Sequence, residues 1–230
     1  MKRVILSIVL AVGSMYLAAA QTTIALDSFT SLLVTGNIQV FLERGDTAKA
    51  VLYAEGIPED EIKIRVMQGT LRMASLNSFL YKDAVVRIYL THGHLDDIRA
   101  NAGASIRSEE IIRAAKLQLS AGSGALVELT LEASELDANV SEGARMNLQG
   151  STGQQEVSAM TGGQYRSEQL SSHTAYIRSN TGARVDISVD ERLEVSANTG
   201  GEVRYTGNPK NKYLKNILGG TVRHIQKESE

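Results

Sequence analysis

The chain has no cysteine and no tryptophan among its 230 residues, and it has only two prolines and three phenylalanines. The absence of cysteine excludes disulfides, cysteine-ligated zinc sites and cysteine nucleophiles. The scarcity of proline suits long β-ladders, because proline lacks the backbone N–H that a ladder uses. The few large aromatics weaken a sugar-binding interpretation without removing it. The formal net charge of −2 gives no electrostatic basis for nucleic-acid binding.

The first twenty residues have the organisation of a secretory signal peptide. Lys2-Arg3 is followed by an apolar stretch over residues 4–17 and by the small residues Ala18-Ala19-Ala20. The apolar stretch is shorter than the roughly 20 residues of a membrane-spanning helix, and a retained N-terminal anchor is the alternative. We predict a signal peptide at 1–20 and no transmembrane segment after cleavage. The protein would then be periplasmic, on the outer-membrane surface or secreted, in a Gram-negative bacterium.

Between residues 98 and 205 a nine-residue pattern returns every 18 to 21 residues. Each copy reads apolar–x–small–x–x–Gly–x–x–apolar, as in Ile177-Arg-Ser-Asn-Thr-Gly182-Ala-Arg-Val185. Apolar and small residues lie two apart, which is the period of a strand with one face buried. Since no helical periodicity occurs within a copy, the pattern predicts an all-β solenoid of the β-helix type, with 18–21 residues per coil.

One glycine in each copy is predicted to form a corner of the coil, because glycine adopts positive φ without steric cost. These structural corner glycines are Gly103, Gly124, Gly143, Gly162, Gly182 and Gly200. Equivalent side chains of a β-helix stack about 4.8 Å apart and must tolerate one another. Asn180 and Asn198 would form an asparagine stack. The position four residues after each corner glycine reads Arg107, Glu128, Asn147, Arg166, Asp186 and Arg204, and its last three members would form an exposed ladder of alternating charge.

The segment before the repeats has strand and hairpin patterns. They predict two short strands meeting at Gly36-Asn37, strands at 50–54 and 85–90, a hairpin around Gln68-Gly69, and a surface loop at 75–83.

Residues 21–230 are predicted to form a single β-solenoid domain. It would consist of N-terminal strands and a cap at 21–97, six repeat coils at 98–207 and a C-terminal cap at 208–230. The caps would cover sheet edges that otherwise aggregate. The basic C-terminal segment could attract an acidic partner or form a solvated tail; its lysines include Lys210, Lys212 and Lys215.

His92 and His94 have the spacing of metal ligands. Residues two apart on a strand share a face, so both imidazoles could meet one ion with Asp96 or Asp97 nearby. Such pairs are often incidental at strand ends, so we expect no metal and no cofactor. If a metal did bind, the candidate ligands would be His92, His94 and Asp96.

Carbohydrate-active enzymes also use β-helices, so this fold permits catalysis. Lyases and hydrolases need carboxylates that converge on one sheet face. In this sequence no coil position carries acids on two successive coils beside a basic residue, and no G-x-S-x-G motif or phosphate loop occurs. We therefore predict a protein that is not an enzyme, with no catalytic residues. The alternative is a β-helical polysaccharide lyase or hydrolase centred on His92, His94 and Asp96.

Several segments together resemble a known bacterial family. They are Leu33-Val-Thr-Gly-Asn-Ile-Gln-Val-Phe-Leu-Glu-Arg-Gly-Asp46, Gly69-Thr-Leu-Arg-Met73, the Ser-x-Asn-Thr-Gly repeats, Tyr205-Thr-Gly-Asn-Pro209 and Gly219-Gly-Thr-Val222. The family is the "putative auto-transporter adhesin, head GIN domain", a domain of unknown function frequent in Bacteroidetes, and the resemblance covers residues 29–223. It implies a right-handed parallel β-helix-like solenoid and an adhesin, and it supplies no binding residues.

These patterns predict an exported, non-enzymatic, adhesin-like or scaffold domain of the bacterial cell envelope. Its partners would be glycans or proteins of the envelope or of a host surface, bound along the broad ladder faces, and its ligand-binding residues are unknown. A periplasmic structural protein without a ligand is a further alternative.

Overall fold

The computed structural model describes residues 21–75, 80–81 and 83–226. The predicted signal peptide lies outside the described residues, as do positions 76–79 and 82 of the predicted surface loop. Apart from a 3₁₀ turn at Glu59–Glu61 and 3₁₀ conformation at Leu80, the regular structure of the described residues is all strand. No helix within these ranges is long and apolar enough to cross a membrane.

The described residues form one continuous sheet of seventeen strands. The strands are β1 Gln21–Ala25, β2 Ser31–Thr35, β3 Gln39–Arg44, β4 Lys49–Glu55, β5 Ile62–Met67, β6 Thr70–Ser75, β7 Val85–His92, β8 Asp97–Asn101, β9 Ser105–Ala121, β10 Leu126–Val140, β11 Arg145–Ala159, β12 Gln164–Ser179, β13 Arg184–Ser188, β14 Arg192–Asn198, β15 Glu202–Thr206, β16 Asn211–Ile217 and β17 Thr221–His224.

The sheet winds into coils because β9, β10, β11 and β12 each bend near their middle and pair in parallel on both sides of the bend. Two faces result. Face A contains β1, β4, β7, β3, the first halves of β9–β12, β13, β15 and β17. Face B contains β5, β6, β2, β8, the second halves of β9–β12, β14 and β16. The predicted parallel β-solenoid is confirmed.

The core lies between the two faces. In β10, Val127, Leu129 and Leu131 point inward from face A, and the alternation shifts by one residue near Ser134. Beyond the shift, the buried residues of face B begin with Leu136. The same pattern in successive coils builds one continuous apolar cluster. Because cysteine is absent, burial and backbone pairing stabilise the domain.

Each coil passes from face B to face A through a tight turn. The six predicted corner glycines all have φ between 70° and 81°. The residue before each also has positive φ, for example Thr181 at 51°, so both central residues have the left-handed conformation of a type I′ turn. The Ala183 amide closes one such turn by donating to the Asn180 carbonyl at 3.2 Å. The Gly182 amide donates to the Thr199 carbonyl of the next coil at 3.1 Å, so the turns themselves form a ladder.

The solenoid continues beyond the six repeats at both ends. β2 and β3 pair in parallel with β8 and β9, so the N-terminal segment contributes a coil. The hairpin predicted around Gln68-Gly69 is confirmed as β5–β6, and β6 pairs with β2. At the other end β16 and β17 stack on β14 and β15 and are joined by a further turn at Leu218-Gly219.

Candidate ligand-binding groove

On the outer side of face A, one residue from each of six successive strands lies in a row that runs across the strands. Their neighbours along each strand, such as Val40, Ile106 and Val127, point into the core, so strand alternation places this row on the surface. The register aligns Tyr89, Phe41, Arg107, Glu128, Asn147 and Arg166. We call these six residues the outer row.

The outer row lines an open groove of about 1130 Å³. Two bulges contribute carboxylates to its lining. In β9, Glu109 and Glu110 have no counterpart in β10, because Ser108 pairs with Leu129 and the next pair joins Ile111 to Thr130. The Glu110 carboxylate accepts a hydrogen bond from the Arg44 amide at 2.8 Å, which ties this bulge to β3.

The second bulge lies in β12. Three residue steps separate Arg166 from Gln169, whereas two steps separate their partners in β11. The additional residue lets Glu168 line the groove, while the chain regains its inward alternation at Leu170, which is buried. Such bulges redirect side chains locally without interrupting the ladder on either side.

An aromatic cluster forms one end of the groove. The rings of Phe41 and Tyr89 are stacked, with centroids 5.1 Å apart and planes 19° apart. Tyr53 packs edge-on against Tyr89, with centroids 5.6 Å apart. Tyr89 is 37% exposed although its position faces solvent along the strand. These rings form an aromatic patch on the outer side of face A, in which Phe41 and Tyr53 are half-buried.

Polar side chains in the middle of the groove hold one another in place. Arg107 Nε donates to one carboxylate oxygen of Glu128 at 2.6 Å, and Asn147 Nδ2 donates to the other at 3.0 Å. Asn147 Oδ1 is buried and has no hydrogen-bond partner among the described residues. The hydrogen bond from Asn147 Nδ2 to Glu128 holds the amide in one orientation, so Oδ1 remains a hydrogen-bond acceptor beneath the groove surface.

The same row continues beyond the groove to Asp186 and Arg204. The predicted alternation of charge is confirmed by the register, which pairs Arg166 with Asp186 and Asp186 with Arg204, but the predicted exposure is wrong at Asp186. Asp186 is 1% exposed, because Arg204 covers it and donates to both carboxylate oxygens. This hydrogen bonding raises the pKa of Arg204. Arg166 lies next to Asp186 in the register, but its side chain donates to Gln164 Oε1 at 3.1 Å.

The predicted asparagine stack is confirmed, since Asn198 Nδ2 donates to Asn180 Oδ1 at 3.0 Å.

The candidate metal ligands do not share a strand face, because β7 ends at His92. His92 is buried and its Nδ1 lies 2.9 Å from the Gly93 carbonyl oxygen, whereas His94 is exposed and its Nε2 lies 2.6 Å from Asp96 Oδ1. Burial lowers the pKa of His92, opposed by its hydrogen bond to Gly93. Within the described ranges, no three or more His, Asp or Glu side chains are grouped so as to hold a metal ion.

The family model described as "Putative auto-transporter adhesin, head GIN domain" matches residues 28–209. The chain belongs to this family. None of the curated proteins compared with this head GIN domain protein matches it.

Solved structures share the fold at low sequence identity. A "putative adhesin" from Bacteroides fragilis has a TM-score of 0.72 at 17% identity, over 90% of this chain and 96% of its own. Another from Parabacteroides merdae has a TM-score of 0.72 at 18% identity, over 90% and 95%. A "putative lipid binding protein" from Parabacteroides distasonis has a TM-score of 0.64 at 12% identity, over 90% and 96%. At these identities the likeness shows the fold of the head GIN domain and nothing finer.

The sequence patterns did not identify the bulge residues Glu109, Glu110 and Glu168 of the groove, but these bulges alter the spacing of the repeats. Successive corner glycines of this head GIN domain are 21, 19, 19, 20 and 18 residues apart. The interval of 21 contains the two-residue bulge at Glu109 and Glu110, and the interval of 20 contains the bulge before Gln169. Intervals longer than 19 residues therefore mark the two coils that carry a bulge.

Proposed function

We propose that this head GIN domain protein is an exported, non-enzymatic, adhesin-like domain of the cell envelope that binds a glycan in the face A groove. The observation that carries the proposal is the combination of a stacked aromatic pair with a row of hydrogen-bonding side chains. The aliphatic face of a sugar packs against an aromatic ring, and its hydroxyls require donors and acceptors together. Family membership supports the adhesin character, and the groove supplies a surface for it.

The polar lining suits a hydroxylated ligand. Guanidinium, amide and carboxylate groups lie on neighbouring coils, so donors and acceptors alternate along the groove. Arg107 and Glu128 already hold each other, which fixes their geometry before a ligand arrives and lowers the entropic cost of binding. A ligand lying along the solenoid axis would contact several coils, each contributing a modest interaction.

The state of the carboxylates supports binding rather than catalysis. A general acid that works near neutral pH needs burial to keep its proton. Glu43, Glu109, Glu110 and Glu168 line the groove but are exposed. Glu128 is partly buried, and both of its oxygens already accept hydrogen bonds. The groove therefore lacks a sequestered acid paired with a free base among the described residues.

Replacing Phe41 by leucine should weaken glycan binding at least tenfold, because leucine fills the space but presents no flat ring. Phe41→Tyr should retain binding. Tyr176→Leu on face B is the matched control and should bind like the unaltered protein. A glycan array would identify ligands, and titration calorimetry would rank the variants, with thermal melting to verify folding.

Two results would reject this proposal. If no glycan binds, or if Phe41→Leu and Tyr176→Leu weaken binding equally, the groove is not a glycan site. Selective capture of unglycosylated protein partners would favour a scaffold instead.

A further inference from the structure

The terminal coil, which comprises residues 208–226 with β16, β17 and the turn between them, exposes apolar side chains. Leu214, Ile217 and Leu218 are 44%, 42% and 78% exposed, and Tyr213 and Ile225 are also exposed. Leu214 aligns with Val195, whose side chain belongs to the core. Leu214 therefore continues the core to the open end of the solenoid. Such a concentration of exposed apolar residues indicates an interaction surface.

In the described part of the chain, the last strand of each face is also an edge strand, paired on one side only. β16 pairs only with β14, and β17 pairs only with β15, among the strands that the structure describes. Every residue of β16 is exposed. An uncovered edge of this kind invites a partner or must be protected from one.

The C-terminal segment is basic in an otherwise acidic chain. Residues 208–230 contain five Lys or Arg and two Asp or Glu, whereas the whole chain has a net charge of −2. Lys210, Lys212 and Lys215 are all exposed. Lys212 aligns with the buried Leu193, so an ammonium group stands where the next coil would need a core residue. The segment is thus a paired strand that presents lysines together with apolar side chains.

These charges disfavour a second copy of the chain as the occupant. Two-fold stacking of terminal coils would bring the lysines against their own equivalents. Head-to-tail stacking would continue face B by placing β16 beside β5 of the next copy, and β5 carries Lys63 and Arg65. Like charges on adjacent strands repel in both arrangements. A negatively charged partner is the complementary one.

We propose that the terminal coil docks the solenoid onto an anionic lipid surface. Lysines attract acidic headgroups, and adjacent apolar side chains bury in the boundary between headgroups and acyl chains. Tyr213 suits this boundary because its ring is apolar and its hydroxyl is polar. A soluble polyanion would use the lysines alone and would leave the apolar residues unexplained. This orientation sets the solenoid end-on and leaves the face A groove accessible, and it holds whether or not that groove binds a glycan.

Vesicle flotation of the purified exported protein tests the proposal. The vesicles would contain phosphatidylcholine alone, or phosphatidylcholine with about a third phosphatidylglycerol. We expect binding to the anionic vesicles only, weakening as salt is raised. The triple variant Lys210→Gln, Lys212→Gln, Lys215→Gln should bind at least tenfold more weakly. Leu214→Ser with Leu218→Ser should also weaken binding, at unchanged charge.

The matched control removes three positive charges from the opposite end of the molecule. Arg65→Gln, Arg72→Gln, Arg87→Gln changes exposed arginines near the N-terminal end and should leave vesicle binding unchanged. Equal loss in both triple variants would show attraction to total charge and would overturn the proposal. So would absence of binding to anionic vesicles, or full binding by the Leu214→Ser, Leu218→Ser variant together with full competition by soluble dextran sulfate. Thermal melting of every variant verifies that the coil is folded.

Discussion

Replacing Gly150 by alanine is expected to lower the melting temperature by roughly 10 °C. Gly150 has φ of 113°, a conformation that side-chain-bearing residues rarely adopt. A Cβ atom at this position would overlap the carbonyl oxygen of Leu131, which belongs to the ladder between β10 and β11. Strain and overlap together should cost about 3 to 5 kcal/mol, and each kcal/mol corresponds to about 2–4 °C in a domain of this size.

Gly103→Ala is the matched control for this prediction. Gly103 also has positive φ, but an added Cβ would meet no atom of the described residues within 4 Å. The control should therefore lose only about 1 kcal/mol, from the left-handed conformation alone. Equal losses in the two variants would show that backbone conformation, and not close packing between coils, limits substitution.

Replacing Arg204 by glutamine is expected to destabilise the fold by about 3 kcal/mol, because it leaves the Asp186 carboxylate buried without its counter-ion. Asp186 is 1% exposed, and the second of its two bonds from Arg204 measures 2.6 Å. The double variant Asp186→Asn, Arg204→Gln should lose less than the single variant, since it removes the uncompensated charge. Urea unfolding of both variants and of each single substitution provides the comparison.

Arg178→Gln is the control, because it removes one partner of an ion pair that is exposed to solvent and not buried. Arg178 also pairs with a carboxylate of a neighbouring coil, Glu156, at 2.9 Å, but the two side chains are 65% and 48% exposed. An exposed pair of this kind is worth at most about 1 kcal/mol. If Arg178→Gln and Arg204→Gln lost equal stability, burial of Asp186 would not be the reason for the effect.

The repeat predicts the solenoid because every coil obeys the same local rule. Apolar residues two apart produce the strands, and a glycine at fixed spacing produces the corner, so no long-range information is needed. The residue before the glycine was not anticipated. Thr181 and its equivalents adopt positive φ, which the turn ladder imposes through hydrogen bonds between coils.

The groove could not be predicted because its aromatic end depends on long-range pairing. Phe41 lies between Tyr89 and Arg107 only because β3 pairs with both β7 and β9. The strands β4, β5 and β6 intervene in the sequence, and no local pattern shows that β3 rejoins the solenoid beside β9. The shared strand face suggested for His92 and His94 is absent for a local reason, because β7 ends at His92 and does not extend to His94.

The structure shows where the C-terminal lysines lie in the fold. Lys212 and Lys215 belong to β16, and Leu214 lies between them as the last residue of a core row. The sequence alone is compatible with a solvated tail or with a segment that attracts an acidic partner, because it does not contain the register that places the apolar and basic residues on one terminal coil. That register depends on pairing with β14 and is a property of the fold.

Protease shaving of intact cells tests the central claim, that this head GIN domain protein is an adhesin-like domain, most directly. The chain would be followed in outer-membrane and periplasmic fractions before and after protease treatment. An adhesin-like domain predicts loss of the protein from unpermeabilised cells, with a periplasmic marker intact. Protection until the outer membrane is opened would contradict an adhesin-like role and would identify a periplasmic scaffold.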